Sequence, residues 1–205
     1  MKRLTALLLA AMLLLSACGN KPETPPEDQS AERNSAATMS ITRTKFSQDT
    51  EEILKLLEVK GGFFDFAVDS SISGYTMNVW VLTNGEWVSN GEISGKIENK
   101  QGQIGVQLLD DGCNFFELSS TGHTKYSVKY ATGLKECSAI GRKGLNTDEQ
   151  ITVIEPGKEQ FLYMELGWKD PAIQASMMDD FRTSNCDAGV AATITFTAAP
   201  GAGAP

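Results

Sequence analysis

Residues 75–87 read Tyr-Thr-Met-Asn-Val-Trp-Val-Leu-Thr-Asn-Gly-Glu-Trp, "YTMNVWVLTNGEW", and the fold turns on their period. Met77, Val79 and Val81 alternate with Asn78 and Trp80. A repeat of two belongs to a half-buried strand, whereas helical apolar residues recur every three or four. Asn84-Gly85 then supplies the left-handed backbone that a two-residue hairpin turn needs. The stretch predicts a strand, a tight turn and an antiparallel partner beginning near Trp87.

The same period recurs along the chain. Phe64, Phe66 and Val68 alternate with Asp65 and Ala67, and Ile104, Val106 and Leu108 with Gln103, Gly105 and Gln107. Tyr126, Val128 and Tyr130 flank Ser127 and Lys129; Leu162, Met164 and Leu166 alternate with Tyr163 and Glu165; Ile194 and Phe196 sit between threonines. Each run has one apolar and one polar face, as antiparallel strands half open to water require. Asn90-Gly91, Asp111-Gly112 and Pro156-Gly157 read as further turns. Eight or nine short strands at this spacing predict a mainly β chain folded as a two-layer antiparallel β-sandwich. One short N-terminal helix is expected over 50–59, opened by a capping box of Asp49 and Glu52 and ended by Gly61-Gly62. Pro171 to Phe181 reads as a helical turn between the last strands. No second domain and no internal repeat is legible.

The N-terminus has a different character. Lys2 and Arg3 precede an apolar run from Leu4 to Leu15. That is shorter than the roughly 20 residues a membrane span needs, and it fits a secretory signal. It ends in Leu15-Ser16-Ala17-Cys18, which resembles the lipobox of bacterial lipoproteins. The resemblance implies a signal peptide over 1–17, cleavage before Cys18, and diacylglycerol attached to the Cys18 sulfur. Two or more acyl chains at about 0.8 kcal/mol per buried methylene give stable anchoring. The pattern "FFDFAV", "MNVWVLTNGEW", "EPGKEQFLYM" and "ATITFT" resembles small extracytoplasmic lipoproteins of Gram-positive bacteria. It implies a β-sandwich on the outer face of the cytoplasmic membrane (or at the outer membrane, if the cell is Gram-negative) and carries no catalytic residues.

Composition narrows the partners. The net charge of −8 becomes about −10 once Lys2 and Arg3 leave with the signal. An acidic chain argues against nucleic acid, whose binders cluster Lys and Arg, and against docking on anionic lipid. Residues 18–45 are rich in Pro, Glu, Ser and Asn and poor in large apolar residues, the composition of a disordered tether. A coil of that length reaches roughly 30 Å. The sandwich is expected over 46–197, with a loose Ala/Gly/Pro tail over 198–205. After Cys18, three cysteines remain. Cys137 and Cys186 are the candidate disulfide pair, the alternative being no bridge at all.

Candidate chemistry is sparse. The one histidine, His123, reads as a loop residue. Ser119, Ser120 and Asp110 are only nominal triad partners, and no nucleophile elbow accompanies them. Three scattered cysteines and one histidine lack zinc-ligand spacing. Asp110-Asp111 and the group Asp179, Asp180 and Asp187 lack the alternation of a calcium loop and read as solvated turns. Residues 141–144, "GRKG", read as a basic turn. No catalytic residue, metal or cofactor is implied. Trp80, with Asn78 and Trp87, either forms a ligand-facing surface or lies beneath a neighbouring strand or loop. The sequence therefore points to a membrane-anchored binding or interaction module of the cell envelope with an unknown ligand or protein partner. An accessory enzyme acting on envelope glycans or peptides and a passive spacer are the alternatives.

Overall fold

The computed structural model describes residues 38–119, 122–145, 151–170 and 180–201. The expected signal peptide, Cys18, residues 19–37 of the expected tether, the tail after residue 201 and most of the expected turn at 171–181 lie outside them. The end of the expected tether is corrected, since residues 40–43 form a strand paired into the sandwich with Ile41 buried in its core.

Eleven strands and one α-helix are formed among the described residues. In chain order these are β1 (Ser40–Arg43), α1 (Gln48–Leu56), β2 (Gly61–Ala67), β3 (Ile72–Thr83), β4 (Glu86–Lys96), β5 (Gln101–Leu109) and β6 (Gly112–Ser119). β7 (Gly122–Lys129), β8 (Ala139–Gly144), β9 (Thr152–Val153), β10 (Glu159–Trp168) and β11 (Ala188–Ala198) complete the set. Two antiparallel sheets result, a six-stranded one in the order β7-β6-β5-β2-β1-β9 and a five-stranded one in the order β4-β3-β11-β10-β8. Their inner faces share one core, to which Ile41, Phe64, Ile104 and Phe115 come from the first sheet and Met77, Val79, Leu162 and Ile194 from the second. This is the two-layer β-sandwich that the period of two predicts.

The deciding stretch folds as read. Met77, Val79 and Val81 point inward and are buried. Asn84 and Gly85 both take positive φ, 53° and 82°, and Thr83 pairs with Glu86 across the turn. At Pro156-Gly157 a turn also forms, with Gly157 at φ 76° and the Lys158 amide bonded to the Glu155 carbonyl.

Elsewhere the local reading is corrected. Asn90-Gly91 is no turn: the register slips between Val79 and Trp80, so β4 bulges there and continues. The Asn90 amide donates to the Lys129 carbonyl, tying an edge of one sheet to an edge of the other. Residues 141–144 belong to β8 and His123 to β7, both as strand rather than loop. Helix α1 is capped by Ser47, whose hydroxyl accepts from the Thr50 amide at 3.4 Å, two residues before the expected cap. It stops at Leu57 and not at the glycines, which lie inside β2. Glu58 adopts φ 51° while its amide and that of Val59 bond back to Lys55 and Leu54. That is a Schellman closure made with a residue other than glycine.

β10 and β11 depart furthest from the amphipathic pattern, being buried along most of both faces. Each is flanked by strands on both sides, and a second apolar cluster covers their outward side.

Candidate functional site

The two outer faces of the sandwich differ. On the five-stranded sheet, Met164, Leu166, Trp168 and Ala191 form the second cluster with Phe181, and Trp80, Trp87 and Cys186 pack against it. Phe181 sits in a 3₁₀ turn, Phe181–Thr183, that lies over the sheet. Its ring meets Trp87 edge-on at 4.6 Å and Trp80 at 6.5 Å. The Arg182 guanidinium stacks over Trp80 at 4.3 Å. Trp80 Nε1 donates to Glu159 Oε1 at 2.7 Å, and Arg182 closes the group through Glu159 Oε2 at 2.7 Å. Trp80 and Trp87, expected as candidate ligand-facing residues, are thus ring-packed with Phe181. Asn78, the third, accepts from the Ser89 hydroxyl at 2.9 Å.

The six-stranded sheet presents another kind of surface. Its outer face carries a row in register: Lys125 on β7, Phe116 on β6, Gly105 on β5 and Phe63 on β2. Gly105 is the reason the rings meet. A Cβ there would lie 2.8 Å from Phe63 and 3.3 Å from the Phe116 Cβ, so its absence lets the two rings close over the strand between them. Phe63 and Phe116 lie 6.2 Å apart, Phe46 stands edge-on to Phe63 at 5.6 Å, and His123 approaches Phe116 at 6.4 Å. The three phenylalanines are half-buried and His123 is exposed.

Polar rows flank this aromatic row. On one side Ser127 donates to Asn114 at 2.8 Å and Asn114 to Gln107 at 3.1 Å. On the other, Gln103 donates to Asp65 at 2.8 Å and to Thr44 at 3.1 Å. Side chains tied to one another in this way hold their orientation, the condition for presenting hydrogen-bonding groups at fixed positions. The face runs into an open groove of about 1230 Å³ lined by Asp65, Gln103, Glu117 and His123, with Lys96 among its other walls. Tyr75 and Glu117 both line it; burial, and then the Glu117 charge, raise the tyrosine pKa.

The remaining candidates are dispersed. Ser119 donates to the Gly122 carbonyl at 3.2 Å, and Ser120 lies outside the described residues. Asp110 accepts from Lys60 at 3.0 Å, and that ammonium, with Lys135, holds its carboxyl below the usual range. Asp111 is paired with Lys129 at 2.8 Å. Asp180 caps the 3₁₀ turn, Asp187 accepts from the Lys169 amide, and Asp179 is not described. Among the described residues no group of three or more His, Cys, Asp and Glu side chains is placed to hold a metal.

The Cys137–Cys186 bridge is not formed. Cys113, Cys137 and Cys186 are all free thiols. Cys137 packs against the core between the sheets and Cys186 against the cluster on the outer side. Burial pushes the Cys113 thiol up to about 12 and Cys186 to about 11.

No relative is at hand to read these sites by: no family model matches the chain, and no curated protein or solved structure matches it.

Proposed function

We propose that this chain is a lipid-anchored extracytoplasmic binding module of the cell envelope, held to the membrane through lipid on Cys18. Its ligand surface is the outer face of the six-stranded sheet, and saccharide chains are the ligand class that face fits. The observation carrying this reading is the Phe46–Phe63–Phe116–His123 row with bonded amide and carboxylate groups on either side. Aromatic rings offer apolar area at little entropic cost, and a few well-placed polar groups set orientation and specificity. Sugar rings present the complement, with apolar C–H faces rimmed by hydroxyls. The anchor rests on the Leu15-Ser16-Ala17-Cys18 motif and the apolar run before it.

Two measurements test the two halves. Labelled palmitate should enter the wild type and not Cys18→Ser; equal labelling of both would refute the anchor. On a glycan array the protein should bind a definable set of polysaccharides, and Phe116→Ala should weaken that binding at least about tenfold, or 1.4 kcal/mol. Binding unchanged in Phe116→Ala and in Phe63→Ala would remove the sheet face from the function.

A further inference from the structure

The acidic chain gathers cations at one place. Helix α1 stands over the end of β1 and the start of β2, and beneath it lies a cleft of about 420 Å³. That volume is within the roughly 300–1,000 Å³ of small-molecule sites. Its charged lining is Arg43, Lys55, Lys60 and Arg142 against Glu51 and Glu58. Four cations thus line one cleft of a protein whose net charge is −8. Phe46, Leu54, Phe63 and Tyr163 supply an apolar lining.

The cations are not all accounted for by internal partners. Arg142 is held through Nε by the buried Glu165, and that bond raises its pKa. Lys60 bonds Asp110 at 3.0 Å and lies 3.9 Å from Glu165. Arg43 is different. It is half-buried, and although Glu51 and Glu58 line the same cleft, it makes no hydrogen bond or ion pair with any described residue. Its position keeps it near Tyr163 and Gly144 at the rim of the sandwich. A guanidinium taken partly out of water without a counter-ion is costly, and a planar carboxylate matches its fork in bidentate fashion.

We propose that this cleft is a binding site for a small organic anion, a carboxylate carried on an apolar body. The carboxylate sits between Arg43 and Arg142, and the body lies against Phe46, Leu54 and Phe63 under α1. The helix suits a cover: none of its residues is buried, and Leu54 and Lys55 reach the cleft from its last turn.

The test is equilibrium dialysis of the full chain in a neutral detergent, with 3-phenylpropanoate as the probe and protein-free micelles as the blank. Saturable binding is expected, at least about tenfold weaker for 3-phenylpropan-1-ol and for Arg43→Gln. Should Arg43→Gln fail to fold, Lys55→Glu on the exposed helix surface adds a third carboxylate to the rim and should weaken binding in the same sense. His123→Ala, at the far end of the aromatic row and neither lining the cleft nor touching Phe63, should leave it unchanged while weakening saccharide binding, so this site and the sheet face fail separately. Three results would overturn the proposal: no saturable binding up to about 10 mM, equal binding of the alcohol, or wild-type binding in the folded arginine or lysine variant.

Discussion

The two outer faces of this sandwich carry similar aromatic content and use it in opposite ways. On the five-stranded sheet the tryptophans are drawn into a cluster under Phe181 and Arg182, with every indole N–H whose partner is seen given to a fixed acceptor: Trp80 to Glu159 and Trp168 to the Asn185 carbonyl. On the six-stranded sheet Phe63 and Phe116 lean on each other across Gly105, and His123 beside them stands exposed. An aromatic becomes core when a later segment folds back over it. It stays half-exposed when, as at Phe63 and Phe116, only sheet neighbours and the single ring of Phe46 pack against it.

That contrast can be broken most sharply by stability. Trp168 is 1% exposed, so Trp168→Ala should cost about 3–5 kcal/mol. Phe116→Ala, on a half-buried ring, should cost only about 1–2 kcal/mol. Urea unfolding of the two variants checks this, and equal losses would mean that the faces do not differ.

The thiol of Cys186 reports the same difference chemically. Burial against the covered cluster raises it from an ordinary 9 to about 11. The thiolate is the reactive form, so alkylation at pH 8 should be at least about tenfold slower in the native protein than in urea. Peptide mass spectrometry gives the rate at each cysteine separately. The linkage has a definite sign: with the folded pKa above the unfolded one, stability from this group is complete below pH 9 and is lost as pH rises from 9 through 11. A native rate at Cys186 equal to the rate in urea would show that the cover over this face is open.

The smallest effects lie at the polar rims. Glu159→Gln weakens the ion pair with Arg182 but keeps an acceptor for Trp80, and should cost about 0.5–1 kcal/mol in thermal unfolding. On the open face Gln103→Ala removes only surface bonds and should stay within about 0.5 kcal/mol. It should nonetheless reduce saccharide binding, which separates an orienting role from a structural one.

Much of the fold was legible because it is local. The period of two marks β2, β3, β5, β7, β10 and β11, and Asn84-Gly85 and Pro156-Gly157 mark turns by their own backbone preferences. β6 escaped because its inward side carries Cys113 and Phe115 and then Glu117, which blurs the alternation. Asn90-Gly91 misled because the same residues that suit a turn also suit a bulge. The candidate site was less legible. Trp80 and Trp87 drew attention by their size, whereas Phe63 and Phe116 stand 53 positions apart and meet only across the glycine of a third strand.

The amino-acid sequence by itself determined the class of fold and the inward residues of the hairpin, because each depends on neighbours within a few positions. Tertiary structure alone decided which aromatics are covered, that Cys137 and Cys186 pack against different clusters, and that Arg43 and Arg142 line one cleft under α1. Those outcomes depend on which strands lie side by side and on which segment folds over which face. Strand pairing joins residues far apart in the chain, and a period of two says which side of a strand is apolar without saying what will lie against it.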